Sequence, residues 1–496
     1  MDVPMRLHAL LQQLPLTSLA GIEDIEITGI EDDSRRVKAG CLFIARSGTK
    51  LDGRGFMADA AARGAVAAVV QQPIPTAPLP QIVIDDAGAG ARLAHLFHGD
   101  PSRQLMVLGV TGTNGKTTTT YMVRQLLTAL GRSCGLIGTV QICDGLNEYA
   151  SDMTTPGAVD LASLLGRMRD NACAACAMEV SSHALDQGRA RGVRFAGAAF
   201  TNLTRDHLDY HQTMEQYAQA KAKLFSSLES GSVAAVNIDD PWAACVARDC
   251  GGARLVRWGF DPEADYRAED VRITAAGSRF NLVTPNGQAL VKMRLVGKYN
   301  VANALAAATL VGEAGGVSAA GIAGALAMAE PAPGRLQVIN CGQPFTVVVD
   351  YAHTDDALRN VLQALRPLTR GKLRVLFGCG GDRDRTKRPL MGRVAEELAD
   401  ALYITSDNPR TEEPSAIIAQ ITAGLSGPLR GGQAADKLVI EEDRRCAIER
   451  ILADAQPEDV VVLAGKGHEN YQIVGTEKRH FDDVEEVQRC LRLRAA

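Results

Sequence analysis

The stretch GVTGTNGKTTTT at residues 109–120, entered from the apolar run LMVLGV, restricts the fold more than any other. An apolar run followed by a glycine loop and Gly-Lys-Thr reads as strand, loop and helix of a layered α/β protein. Glycines at 109, 112 and 115 let the backbone curl until several N–H groups converge, an arrangement suited to phosphate oxygens. Lys116 adds a cation for the β- and γ-phosphates, and Thr117 offers a hydroxyl to Mg2+. The pattern G-x-x-x-x-G-K-[ST] is missed at one position, where Val110 replaces the first glycine. The loop predicts an ATP-type nucleotide with Mg2+. Kinase, NTPase, switch and ligase all stay open on this feature alone.

A chain of 496 residues implies two to four domains, and 46% hydrophobic residues supply a sizeable core. The net charge of -5, with both signs interspersed, argues against a nucleic-acid or membrane-surface partner. Eleven scattered cysteines fit reduced thiols in a cytosol better than a disulfide framework. Cys173 and Cys176 form a C-x-x-C, but without a second pair they read as small apolar residues entering a buried strand. The N-terminus lacks the pattern of a secretory signal, and no apolar stretch reaches membrane-spanning length, so a cytoplasmic protein is expected.

Three segments are expected. Residues 1–102 hold short strands (CLFIA, AVAAVV, QIVID) between turn-rich loops. Residues 103–335 open with the glycine loop and alternate apolar runs with helical stretches, which implies a sheet with helices on its faces. Residues 336–496 restart the pattern with FTVVVDYAH, KLRVLFGCGGDRD, ALYITSDNPR and DVVVLAGKGHE. Each is a strand delivering polar or glycine residues at its C-terminal end, the edge at which open α/β sheets bind ligands.

Glu179 ends an apolar strand, where a carboxylate can hold Mg2+ beside a nucleotide. His207 and nearby acids follow another strand. In MEQYAQAKAKLFSSL, Tyr217, Lys221, Leu224 and Leu228 share one helix face, so Lys221 lies on the apolar stripe and Lys223 does not. Lys221 either snorkels to the surface or is buried and needs a partner; periodicity does not decide between them.

Taken together, GVTGTNGKT, MEVSSHAL, TNLTRDHLDYH, GKYNVANALAA, PGRLQ, VDYAHT and GCGGDRDRTKRPLMG resemble the Mur ligase family over nearly the whole chain. DNPRTEEP and AGKGHE narrow the likeness to the branch that adds meso-2,6-diaminopimelate. The resemblance implies a three-domain α/β fold. Residues 1–102 would bind the UDP end of the substrate. Residues 103–335 would form a central P-loop ATPase-like parallel-sheet domain, and residues 336–496 a Rossmann-like domain for the amino acid. It also implies an ATP-dependent amide ligase of bacterial peptidoglycan synthesis. The D-Glu carboxylate of UDP-N-acetylmuramoyl-L-Ala-D-Glu would be phosphorylated, and the diaminopimelate amine would attack the acyl phosphate. These small molecules are the expected partners, and a monomer is the expected state.

Carried over residue by residue, the resemblance assigns Gly112, Thr113, Asn114, Gly115, Lys116, Thr117, Thr118, Asn300, Arg335 and Asp350 to ATP. Asn237 would lie nearby, with Asn300 the better adenine candidate. Thr117 and Glu179 would hold one Mg2+ and His207 a second, while Lys221 matches a family lysine that CO2 carbamylates. Lys116, Glu179, His207 and Lys221 form the catalytic set. Asp32, Ser34, Thr49, Lys50, Leu51, Thr154, Thr155, Ser181, Gln187 and Arg189 would bind the UDP-sugar dipeptide, although turn formation or capping competes for each hydroxyl. Arg383, Asp407, Asn408, Pro409, Arg410, Gly465 and Glu469 would bind diaminopimelate, with Glu469 facing its ammonium. Diaminopimelate has one carboxylate more than lysine, and the Arg410 guanidinium can fork onto it.

Met153, Gly55, Asp355 and Gln337 depart from residues common in the family. The competing readings are a lysine-adding ligase, which would be expected to lack Arg410, and a folylpolyglutamate-type ligase, against which DSRRVKAGCLFIA and DNPR argue. A non-catalytic nucleotide-binding protein would be marked by loss of Lys116, Glu179, His207 or Lys221, and all four are present.

Overall fold

The computed structural model describes residues 4–14, 23–46, 52–84, 86–274, 276–430 and 437–495; Thr49, Lys50 and Leu51 lie outside the described residues. Among them the strands form three main sheets. The first is all-parallel, in the order Gly29–Glu31, Cys41–Ile44, Ala67–Val70, Gln81–Val83. Its two inner strands are buried along their whole length, as the unbroken apolar runs there require.

The second sheet has eleven strands. Seven neighbouring strands are parallel: Cys134–Ile137, Ala175–Glu179, Met106–Thr111, Gly197–Phe200, Val233–Asn237, Arg254–Gly259 and Tyr266–Thr274. Antiparallel hairpins extend both edges, a feature absent from the expectation of a parallel sheet. Strand alternation divides the core. Leu108 and Val110 face the helices Lys116–Ala129 and Lys298–Glu313, while Val107 faces Ala158–Asp170 and Met214–Ser226. The alanines at 304 and 306–308 let the Lys298–Glu313 helix lie close against its neighbours. Cys176 is fully buried in its strand, and Cys173 is buried just before it.

The third sheet runs Gln337–Ile339, Thr346–Asp350, Val460–Ala464, Leu373–Phe377, Ala401–Ile404, Leu438–Ile440, parallel except for the first pair. The last strand in sequence sits between the first two parallel ones, so the strand order switches there. Asp350, Gly378, Ser406 and Gly465 all lie at C-terminal strand ends around that switch, which opens a crevice at this edge. No helix among the described residues is long and apolar enough to cross a membrane.

A buried ion pair fastens the last helix to this sheet. Arg444 donates to both Asp483 oxygens, at 2.8 and 2.6 Å, and to the Ala464 carbonyl at 3.1 Å; both side chains are 0% exposed. Arg444→Met alone strands a buried carboxylate and should cost about 3–5 kcal/mol, whereas Arg444→Met with Asp483→Leu should recover most of it. Thermal unfolding of the two variants measures the difference; equal losses would contradict the pairing.

Candidate active site

The phosphate loop is shaped by its glycines. Gly115 has φ +86°, a left-handed conformation, and an added Cβ would collide with Oδ1 of Asn303. The end of the neighbouring strand Gly197–Phe200 braces the loop: Thr113 N donates to Asn202 O at 2.8 Å, Asn114 N to Asn202 Oδ1 at 2.9 Å, and Thr201 Oγ1 to Asn114 O at 2.6 Å. Lys116 Nζ folds back onto the loop, donating to Gly112 O at 3.0 Å and Thr113 O at 2.8 Å. The loop, Glu179, His207, Lys221, Arg335 and Asp350 line one cavity of about 270 Å3.

Glu179 ends its strand with its carboxylate fixed by one residue: Thr139 N donates to Oε1 at 2.8 Å and Thr139 Oγ1 to Oε2 at 3.1 Å. Lys221 is 1% exposed, as are its stripe partners Tyr217, Leu224 and Leu228 to within a percent, while Lys223 is exposed and paired with Asp186. Lys221 Nζ donates to Gly112 O at 2.8 Å and lies 4.3 Å from the centre of the Tyr217 ring. Burial, then the nearby Lys116 charge, drive its basicity far below that of an ordinary lysine, against the pull of Asp206.

His207 adopts φ +54°, a left-handed conformation that costs a non-glycine residue about 1 kcal/mol. Its ring stands edge-on to His183 at 4.8 Å, and Nε2 is 3.5 Å from Asp206. Burial and the charges of His183, Lys116 and Lys221 bring its pKa to about 3 despite Asp206, so the imidazole is neutral and free to act as a ligand. A fixed carboxylate at Glu179 and a hydroxyl at Thr117 are oxygen donors of the kind a hard cation takes, and they line the same cavity as the neutral imidazole of His207. Among the described residues, no three acidic, histidine or cysteine side chains converge tightly enough to hold a metal unaided.

Beside the loop, Arg335 Nη2 donates to Thr117 Oγ1 at 3.1 Å and its guanidinium lies 4.5 Å over the Tyr351 ring. Asp350 accepts from Leu336 N at 2.7 Å and Ala352 N at 2.8 Å. Asn300 and Asn237 both line the cavity, with amides donating to Val296 O at 2.8 Å and Thr201 O at 2.7 Å. Thr118 is buried in the first turn of the helix behind the loop.

Of the described residues assigned to the UDP substrate, four line one of two cavities, and Ser34, Thr155 and Arg189 line neither. Thr154 and Ser181 line the first cavity. Asp32 and Gln187 line a second, of about 280 Å3, between the first and second sheets. Asp32 lies 3.4 Å from Arg46 and 3.7 Å from Arg36. Ser34 is buried at the start of a single 3-10 turn and lines neither cavity. Arg189 donates to Gln187 Oε1 at 3.0 Å and to Thr155 O at 3.2 Å, with Met153 Sδ 3.3 Å from it. The competing structural roles are occupied too: Ser181 caps the helix Ser182–Asp186, and Thr155 donates to Glu179 O at 2.9 Å while accepting from Ser181 N at 3.1 Å.

The amino-acid set gathers in the crevice of the third sheet. Asp407, Asn408 and Pro409 are buried and Arg410 half-buried; Arg410 has φ +52° and donates from Nη1 to Gly381 O at 2.7 Å. Arg383 is exposed on the facing loop. Glu469 accepts from Asn408 Nδ2 at 2.8 Å and Tyr351 O–H at 3.4 Å, and Gly465, at φ +110°, sits beside Asp407.

Three family models match: the Mur ligase family catalytic domain at residues 26–88, the Mur ligase middle domain at 110–311 and the Mur ligase glutamate ligase domain at 334–467. A UDP-N-acetylmuramoyl-L-alanyl-D-glutamate–2,6-diaminopimelate ligase of Gloeobacter violaceus is 45% identical, covering 98% of this chain and 98% of its own. The chain belongs to the Mur ligase family. A ligase of the same name from Geobacillus kaustophilus is 44% identical over 97% of this chain and 98% of its own. A solved structure of a ligase so named superposes with a TM-score of 0.70 at 33% identity, covering 100% of both chains.

Sequence reasoning missed several residues that this Mur ligase brings to the site. Thr139, which fixes Glu179, stood at a strand end in GLIGTV; Asn303, which packs on Gly115, stood three residues after Asn300 on one helix face. The hairpin Tyr471–Val474/Glu477–His480, which covers the Asp407–Arg410 turn, had only the turn signal of Gly475. Of the departures, Gln337 Oε1 accepts from Gly334 N at 2.9 Å, a bond that a carboxylate would also make. Gly115→Ala should lower nucleotide affinity by at least about tenfold, because the backbone strain and the collision with Asn303 reshape the loop. Titration calorimetry with a nucleotide measures it, and wild-type affinity would contradict the geometry.

Proposed function

We propose that the protein is an ATP-dependent amide ligase that joins meso-2,6-diaminopimelate to the D-Glu carboxylate of UDP-N-acetylmuramoyl-L-Ala-D-Glu in peptidoglycan synthesis. The observation that carries this reading is Arg410. It stands in a strained, left-handed turn opposite Glu469, in a chain 45% identical over its length to a ligase of that name. A guanidinium fork with a carboxylate across from it matches the carboxylate and ammonium of one amino-acid centre.

On this reading residues 1–102 hold the UDP end, residues 103–335 hold ATP, and residues 336–496 hold the amino acid. The backbone N–H groups of residues 112–118 and the Lys116 ammonium receive the phosphates, Lys116 turning from the loop carbonyls it now contacts. Asn300, Arg335 and Asp350 surround the rest of the nucleotide. Thr117 and Glu179 would hold one Mg2+ and His207 a second, with carbamylated Lys221 as a further ligand; the metal would supply charge neutralisation on the phosphates. Carbamylation joins the neutral Lys221 amine to CO2 with loss of one proton, replacing a buried base by an anion.

The D-Glu carboxylate oxygen attacks the γ-phosphorus, the bond to the bridging oxygen breaks, and ADP leaves with that electron pair. The diaminopimelate amine then attacks the acyl carbon, the C–O bond breaks, inorganic phosphate departs and the amine loses a proton. Glu469 and Arg410 hold the amino acid with that amine directed inward.

Arg410→Lys replaces a fork by a point charge. It should raise KM for diaminopimelate by roughly 100-fold and leave KM for ATP within about twofold. Steady-state phosphate release at varied concentrations of each substrate measures both, and an equal effect on the two would contradict the role of Arg410.

A further inference from the structure

Lys466 is 0% exposed, an ammonium sealed beneath the amino-acid crevice. Its Nζ lies 3.3 Å from Asp407 Oδ1, 3.3 Å from Asn408 Oδ1 and 3.8 Å from Glu469 Oε2. The Asn408 oxygen thus receives two donors, Lys466 Nζ and Ile473 N at 3.0 Å. That fixes which way the amide faces, and its Nδ2 is left to donate to Glu469 at 2.8 Å.

We propose that Lys466 is a positioning residue of the amino-acid pocket: its ammonium orients the Asn408 amide and, through it, the Glu469 carboxylate that receives the substrate's ammonium. The proposal rests on the reading of this crevice as the amino-acid site. Electrostatics agree with the geometry. The buried Asp407 and the half-buried Glu469 both lie near this lysine's Nζ, at 3.3 and 3.8 Å. Burial favours the neutral Asp407 acid, but Lys466 and then Arg444 outweigh burial and keep it ionised. Burial and the Asp407 charge both raise the pKa of Glu469, and Lys466 opposes them. The charged and titratable groups around Glu469 are Asp407, Lys466, Arg410 and Arg444, with the phenols of Tyr351 and Tyr471.

Loss of the lysine charge should therefore raise the pKa of Glu469 further and weaken its hold on an ammonium. In full-length Lys466→Met, KM for diaminopimelate should rise roughly tenfold or more at pH 7, with KM for ATP within about twofold. The defect should shrink as pH rises, because the raised Glu469 carboxyl gives up its proton on the alkaline side. An unchanged diaminopimelate KM would overturn the proposal. So would a defect that is the same at every pH, or one shared equally by all three substrates, as from a merely structural lysine. Should Lys466→Met fail to fold, Asn408→Asp decides. It keeps the acceptor for Lys466 but turns an oxygen toward Glu469, and an unchanged diaminopimelate KM there overturns the relay. Wild-type protein assayed alongside keeps the two questions apart: if it does not use diaminopimelate, the ligase reading fails, whatever Lys466 does.

Discussion

The hydrogen bond from the buried Lys221 amine to the Gly112 carbonyl ties the helix Met214–Ser226 to the glycine loop, and the cavity is arranged around it. Lys116 turns onto the same carbonyl from the other side, so two lysines share one acceptor. Burial and the Lys116 charge disfavour the charged form of Lys221, and burial and Arg335 disfavour that of Lys116. That crowding makes sense if anions complete the site: a triphosphate facing Lys116, and a carbamate on Lys221 itself. A snorkelling lysine would have reached solvent, as Lys223 does two residues later.

From the same loop a chain of contacts crosses to the third sheet. Thr117 accepts from Arg335, Arg335 lies over Tyr351, and the Tyr351 hydroxyl reaches Glu469. Asn114 also donates to Asp356 at 2.8 Å, and Arg205 to Thr386 at 2.5 Å. The glycine loop and the crevice of the third sheet are therefore joined by one chain of contacts. Activation of a carboxylate and attack by an amine need both ends in register, and side chains from both sheets set that register.

Much of this was legible in the sequence because strand-end motifs report position and chemistry together. Gly-Lys-Thr, Glu179 and Asp407–Arg410 all stand where a parallel strand gives way to a loop, the edge that faces ligand. The spacing of Tyr217, Lys221, Leu224 and Leu228 placed Lys221 on the inward face, but only the packed structure separated burial from snorkelling. What stayed hidden depends on contacts distant in sequence. Thr139 meets Glu179 across 40 residues, and Asn303 meets Gly115 across nearly two hundred. The split of the UDP set between two cavities and the antiparallel edges of the central sheet are likewise products of topology, which short-range periodicity does not encode. Ser181 and Thr155 show the opposite limit: a hydroxyl that caps or braces looks the same in sequence as one that binds.

The most direct test of the whole account is phosphate release by the purified protein with ATP, Mg2+ and UDP-N-acetylmuramoyl-L-Ala-D-Glu, with meso-diaminopimelate or L-lysine supplied in parallel. The account predicts release driven by diaminopimelate and not by lysine. Release driven by lysine would contradict the role given to Arg410, and no release with either amino acid would contradict the ligase reading itself.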